Sequence, residues 1–259
     1  MLSIAIVSGQ GETLLSKSGA SPLSLYYAQA YQSGDEVVVR SDSADRLTVR
    51  LDSLAEADVY APSGEMRYLI PFGEAAKAYP PQCFSGEKHV IEAAEMPPKQ
   101  VFRYRNLALN PLDQRREANV FPHATANVET RGESVFAARN VIDGFRLNEG
   151  HGEWPFQSWG IGARTDAWLT VWFGRTVLVD AMTFYLRADF PHDAHWVRAS
   201  VAMSDGSEET FSFKRTGAAQ HFPFPPRKVE WIRLFRLIKS DEPSAFPALT
   251  EWEIHGSDV

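Results

Sequence analysis

A single cysteine, Cys83, is all the thiol this 259-residue chain carries. An internal disulfide is therefore excluded, and with it the stapled class of small secreted domains; a reducing compartment is the expectation. No apolar run is long enough to span a bilayer. The opening Met1-Leu2-Ser3-Ile4-Ala5-Ile6-Val7 lacks a basic leader and is too short in apolar residues for an export signal, so it reads as a buried first strand of a cytoplasmic protein. Positive charge is scarce: 26 Lys+Arg stand against 33 Asp+Glu, a net −7. Nucleic acid and anionic membranes attract basic surfaces, so both are disfavoured as partners and a neutral ligand fits better. A nucleophile elbow, a P-loop, a dinucleotide fingerprint and an HExxH motif are all missing, as are internal repeats and low-complexity segments.

What the chain does have is 44% hydrophobic residues, enough to bury real cores over a length that suits two domains. Short β-rich runs recur through the first 95 residues at Ile4 to Val7, Val37 to Arg40, Leu47 to Leu51, Ala57 to Tyr60, Arg67 to Ile70 and His89 to Ala93. Turn chemistry at Ser33-Gly34-Asp35, Ser41-Asp42-Ser43, Pro62-Ser63-Gly64 and Ser85-Gly86-Glu87 separates them. This is the spacing of an all-β sandwich. Lys99 to Leu109, after Pro97-Pro98 and before Asn110-Pro111, is predicted to form a short connecting helix. The polar stretch from Asn110 to Pro122 reads as a linker, giving an N-terminal β-sandwich over 1–115 and a second domain over 116–259. Beyond it Val177 to Leu186, Trp196 to Met203, Thr210 to Lys214, Lys228 to Ile238 and Leu249 to His255 are again β-rich.

Between Phe136 and Trp172 lies the most informative stretch, and there and beyond it no single motif is specific, but their order and spacing are. Ala138-Arg139-Asn140-Val141-Ile142-Asp143-Gly144 is followed by Trp154-Pro155-Phe156-Gln157-Ser158-Trp159 and by Trp168-Leu169-Thr170-Val171-Trp172-Phe173-Gly174; Ser204-Asp205-Gly206 and Glu251-Trp252-Glu253-Ile254-His255-Gly256 come later. In that order and spacing, residues 120–256 resemble the coagulation factor 5/8 type C (discoidin-like) superfamily. This is the galactose-binding-like jelly roll that includes family-32 carbohydrate-binding modules. The resemblance implies a jelly roll for the second domain, so that with the spacing of the first domain the expected fold is all-β, two sandwiches with the jelly roll at the C-terminal end. It also implies a structural calcium held by carbonyls of the Asn-x-Ile-Asp-Gly turn, with Asp143 and Glu251 as its carboxylate ligands.

The densest polar cluster is Arg187-Ala188-Asp189-Phe190-Pro191-His192-Asp193-Ala194-His195-Trp196, between two strands. Sugar hydroxyls need donors and acceptors together, which Arg187, Asp189, His192 and Asp193 supply, while Trp196 offers a stacking face. An arginine–carboxylate pair that merely orders the loop is the bland alternative. His192, Asp193 and His195 also suggest zinc, but no fourth ligand is near. Trp154, flanked by glycines and Pro155, is read as a second stacking face, with Arg164 and Gln157 as hydrogen-bonding neighbours. Trp159 and Trp168 are assigned to the core, Cys83 to inert packing, and the Tyr79–Gly86 loop to contact with the second domain. Glu149, Glu153 and Asp166 can be imagined as a glycosidase pair, but loop spacing cannot set the separation that chemistry needs. The expectation is a non-catalytic carbohydrate-binding protein whose partner is a saccharide, ahead of a protein-interaction scaffold, with an enzyme last.

Overall fold

The structure, a computed structural model, describes residues 1–115, 119–187 and 194–259, and its regular elements are almost entirely antiparallel strands. Among the described residues no helix is long and apolar enough to cross a membrane. The first sandwich is built from β1 (Leu2–Val7), β2 (Thr13–Gly19), β3 (Leu23–Tyr27), β4 (Glu36–Ser41), β5 (Arg46–Leu51), β6 (Ala57–Tyr60), β7 (Glu65–Leu69) and β8 (His89–Glu95). They form two four-stranded sheets, β2-β1-β4-β7 and β3-β8-β5-β6. Period-two patterning decides what faces inward. Leu2, Ile4 and Ile6 of β1 meet Leu23, Leu25 and Tyr27 of β3, with Val37, Val39, Leu47 and Val49, in one core.

The second sandwich contains β9 (Arg105–Asn106), β10 (His123–Ala126), β11 (Trp159–Gly160), β12 (Leu169–Leu186), β13 (Trp196–Met203), β14 (Glu208–Ser212), β15 (Gln220–Lys239) and β16 (Ala248–Asp258). The pairing path is β11-β16-β12-β15-β13-β14, with β10 added to β12 and β9 to β16. β12 and β15 are long because they serve two parts of the sandwich, and the register between them shifts at Trp172/Val177 and Val179/Ala181. Such irregularities bend and twist a strand, which lets one continuous strand wrap a jelly-roll core. Trp159, Trp252, Phe173 and Phe184 are wholly enclosed there; each such side chain contributes roughly 2–3 kcal/mol through burial.

One local expectation changes. The helix predicted over Lys99 to Leu109 is one turn, Pro98–Val101. Beyond it Arg105 and Asn106 pair with β16, and the Leu107 amide donates to Ile254 O at 2.7 Å, so edge pairing outcompetes a weak helical period. The polar stretch after Asn110 is held by its own side chains. Asn110 Nδ2 donates to Pro122 O at 2.7 Å, and buried Asp113 accepts from the Ala124 amide at 2.9 Å and pairs with His123 Nδ1 at 2.7 Å. Its polar side chains satisfy buried backbone groups where the chain passes between cores: Leu107 and Ala108 pack in the second core, Leu112 and Val120 in the first.

The two sandwiches meet over a charged and aromatic junction. Asp258 Oδ2 accepts from Arg105 at 2.8 Å, its carboxylate also accepts from Arg175, and Arg46 Nε lies 3.5 Å away. Arg46 and Arg175 both lie on the Tyr60 ring, 4.0 and 5.4 Å from its centroid. Tyr60 in turn exchanges backbone hydrogen bonds with Phe121 at 2.8 Å each way. Phe121 presses on Gly174, whose φ of +67° is left-handed and where a Cβ would collide with the ring. Gly174→Ala is expected to cost about 1–3 kcal/mol for the overlap alone, with backbone strain added. Thermal unfolding of this variant tests the junction; an unchanged Tm would show that Phe121 simply moves aside.

Candidate functional site

At one end of the second sandwich, several chain segments enclose a cavity of about 200 Å³. Thr130 and Arg131 come from the loop after β10, Gly160 and Ile161 from the end of β11, Arg187 from the end of β12, and Phe246 to Ala248 from the entry to β16. Arg187 is 6% exposed, and its guanidinium donates to Phe246 O at 2.7 Å while its amide donates to Ala248 O at 3.0 Å. It therefore fixes the backbone that presents Phe246, whose ring is 49% exposed. Thr130 Oγ1 accepts from the Gly162 amide at 2.9 Å, and Arg131 lies over Phe136 while paired to Glu133. His151, an exposed residue, completes the rim.

Across a ridge made by Ile161 and Pro247 lies a second cavity of about 330 Å³, lined also by Arg164, Thr165, Trp196 and Lys239. The loop end is thus a bipartite depression with an exposed phenyl face on one side and cationic side chains on both.

A larger cavity, about 420 Å³, opens between the sandwiches beside Phe72, Tyr79, Gln114, Arg115 and Arg139. Its polar groups are already committed. Gln114 bonds both the amide and the carbonyl of Leu69, Arg115 bonds Gly132 O and Glu129, and Arg139 bonds Asp113 O and Pro111 O. A ligand there would meet apolar walls without convergent polar contacts, which makes it a poor recognition site.

Asp143 and Glu251, 108 positions apart in sequence, are brought together beneath the turn that follows the Ala138–Val141 3-10 segment. Asp143 Oδ1 accepts from the Phe145 amide at 2.9 Å and Oδ2 from Gln157 Nε2 at 2.9 Å, and Arg139 stands 3.6 Å off. Glu251 Oε2 accepts from the Gly144 amide at 3.2 Å, whereas Glu251 Oε1 and Gln157 Oε1 are buried without partners. Burial, followed by repulsion from Asp143, pushes the Glu251 carboxyl well above its usual range; burial lifts Asp143 to about 6 against the pull of Arg139. The pair is sealed and lines none of the cavities described above, so it has no access to a substrate. Of the other carboxylates considered for glycosidase chemistry, Glu149 accepts from the Asn148 amide, Glu153 pairs with Lys77 and Asp166 holds Arg164, and none is among the described lining residues of these cavities.

Of the residues expected to bind ligand, Arg187 and Arg164 reach the loop end, one at each cavity. Arg187 is a buried anchor rather than an exposed contact. Trp196 is 1% exposed and packs on Trp159 with ring centroids 6.2 Å apart, so it cannot stack on a ring, although it forms part of the second cavity's wall. Trp154 is elsewhere: half-buried, it packs edge-on against Phe145, and its amide donates to Lys77 O at 2.9 Å across the junction. Gln157 is buried at Asp143 and unavailable to a surface ligand. Asp189, His192 and Asp193 lie outside the described residues. His195 Nδ1 lies 3.5 Å from Glu242, and among the described residues no group of three His, Cys, Asp or Glu side chains could hold a metal. Trp159 is core as expected, while Trp168 is half-buried under Arg233, 4.3 Å from its ring. Cys83 is buried in the first core, where burial pushes its thiol up and keeps it unreactive.

Sequence reasoning missed Phe246, His151, Thr130 and Arg131. A signal existed for Phe246: an aromatic residue inside Asp241-Glu242-Pro243-Ser244-Ala245-Phe246-Pro247, where turn residues on both sides resist burial of the ring.

The fold and site together define a two-sandwich β protein with a depression at the loop end of its second sandwich. No family model matches the chain, and no curated protein matches it. Among solved structures, it is similar to the family-32 carbohydrate-binding module of C. perfringens NanJ in complex with galactose. Identity is 18%, with 51% of this chain and 91% of that one covered and a TM-score of 0.39. It is also similar to a chitosan-binding module from a Paenibacillus sp. IK-5 chitosanase/glucanase (19%, 59% and 99% covered, TM-score 0.41). A third likeness is to the lectin domain of lectinolysin complexed with Lewis B antigen (16%, 59% and 97%, TM-score 0.43).

Proposed function

We propose that the protein is a non-catalytic carbohydrate-binding protein that takes a saccharide at the loop end of its second sandwich. The observation that carries this reading is Phe246, a half-exposed ring held by the buried Arg187 over a small cavity with hydroxyl, imidazole and guanidinium groups at its rim. Pyranose rings present a flat array of C–H groups to an aromatic face and hydroxyls around the edge, which such a site complements. Shallow binding leaves few polar groups fully desolvated, so affinity is expected in the roughly micromolar to millimolar range. The test is a glycan array on the purified protein, followed by titration of the best glycan against parent and Phe246→Ala. Loss of the stacking face should weaken binding about 10-fold or more, with Tm unchanged because the ring contributes little to the core. Equal affinities would move the site elsewhere. An array with no glycan signal, beside capture of a defined protein partner through the same loops, would favour the scaffold reading.

We further propose that Asp143 and Glu251 hold a structural calcium. The donor set fits a hard cation: two buried carboxylates and the orphaned oxygens Glu251 Oε1 and Gln157 Oε1 lie in one enclosed cluster. Bound there, the ion supplies positive charge that relieves the repulsion between the two carboxyls. Its remaining ligands would be carbonyl oxygens of the Asn140–Gly144 turn. Without it, Arg139 and a proton on Glu251 do that work, since Glu251 has one hydrogen-bond donor where Asp143 has two and a guanidinium.

A further inference from the structure

The second loop-end cavity is built of hydrogen-bond donors. Its polar side chains are Arg164, Lys239, Trp196 and Thr165, and no acidic side chain is among its described lining residues. Arginine, lysine and tryptophan can only donate, so three of the four have nothing to offer a ligand hydroxyl proton. The Trp196 indole matters most here. It is 1% exposed, and its Nε1 is buried without an acceptor, a costly state for a donor in a core. Lys239 Nζ donates to Ser240 O and Glu242 O, at 2.6 and 2.5 Å, and among the described residues no carboxylate neutralises it. Arg164 is bound to Asp166, which is itself outside the cavity lining. Of the two cationic side chains, Lys239 alone lacks a carboxylate partner among the described residues, and the buried indole N–H of Trp196 lacks an acceptor.

We propose that this cavity is an anion subsite, and that the ligand is an acidic saccharide whose carboxylate enters it while the sugar ring lies over Phe246 across the Ile161–Pro247 ridge. The proposal rests on the saccharide reading above and narrows it to a chemical class. A carboxylate supplies acceptors with a full charge, which is what an unpaired indole N–H and an ammonium without a counter-ion both lack. The two cavities share Ile161 and Pro247 as walls, so one ligand can occupy both.

Indole N–H resonances of the seven tryptophans provide a direct readout, with Trp196 assigned by its loss in Trp196→Phe. The matched probes are sodium galacturonate and methyl galactoside, the same ring with and without a carboxylate, titrated at pH 7 and constant ionic strength. Galacturonate is expected to shift the Trp196 signal saturably, and methyl galactoside to leave it in place. Lys239→Met should weaken the galacturonate effect at least 10-fold, the size of a charge-assisted hydrogen bond. A Trp196 signal that does not move with galacturonate, or moves equally with both probes, overturns the anion subsite. Failure of the broader reading looks different: it would be an empty glycan array. If methyl galactoside perturbs the Phe246 ring signals while neither probe moves Trp196, saccharide binding stands and only the anion subsite falls. If Trp196→Phe fails to fold, the Lys239→Met titration alone decides, since that side chain lies at the cavity rim.

Discussion

Asp258→Ala is expected to lower the unfolding free energy by about 3–5 kcal/mol, the cost of removing one partner from a buried ion pair. The carboxylate is 2% exposed and touches three guanidiniums: Arg46 of the first sandwich, Arg105 of the crossing segment and Arg175 of the second. Deleting it leaves like charges packed around Tyr60 with nothing between them. Burial alone would raise the Asp258 carboxyl, but hydrogen bonds from Arg175 and Arg105 overcome this and hold it below its usual range. A lowered carboxylate contributes stability that is present above its unfolded-state value and is lost as pH falls through the folded-state value. The gap between parent and variant should therefore hold from pH 7 to 5 and shrink below its ordinary 3.8. Urea unfolding at several pH values checks both magnitude and direction. Because the aspartate joins the cores, the variant should also separate into two transitions where the parent shows one. A loss under 1 kcal/mol, or a gap that grows in acid, would show the three arginines to be adequately solvated without it.

The second large effect runs the other way. Glu251→Gln should stabilise the protein in the presence of a chelator, because the parent must hold a proton on a buried carboxyl beside Asp143. A raised carboxyl is least costly below its unfolded-state value, near 4.5, and penalises the fold progressively as pH rises toward the folded-state value. The advantage of the variant should widen between pH 5 and 7 by up to about 1.4 kcal/mol per pH unit. Calcium reverses the order. It should raise the Tm of the parent by mass action and leave the variant nearly unmoved, since one of its two charged ligands is gone. Identical pH slopes and identical calcium shifts in the two proteins would remove the cation and the shared proton together.

Much of this fold was legible because period-two patterning and turn residues act locally. Leu2, Ile4 and Ile6 alternate with half-exposed neighbours, and Trp196 to Met203 begins and ends where the turn signals stand. The Asp143–Glu251 pairing was legible only through family resemblance, since no local rule joins residues so far apart. The failures share one cause. Trp196 and Gln157 were judged by their immediate neighbours in sequence, yet their burial was decided by other segments of the chain: Trp159 packs on the first and Asp143 holds the second. Phe246 escaped notice for the converse reason: its exposure depends on Arg187, 59 positions earlier, holding its backbone at the rim.

The short strand β9 has a consequence for any attempt to isolate the second sandwich. Among the described residues, one edge of β16 is covered only by two-residue partners, β11 at Ala248 and Leu249 and β9 at His255 and Gly256, with Asn106 Oδ1 and the Leu107 amide closing on Ile254 between them. A fragment beginning at residue 116 forfeits the whole β9 end of that cover. Its last strand would present open N–H and C=O groups beside apolar Ile254, a template on which a second copy can add strand to strand. Such a fragment is expected to self-associate where the full chain does not, and one beginning at residue 98 to behave as the full chain does; light scattering of the two fragments distinguishes a missing edge from a merely unstable core.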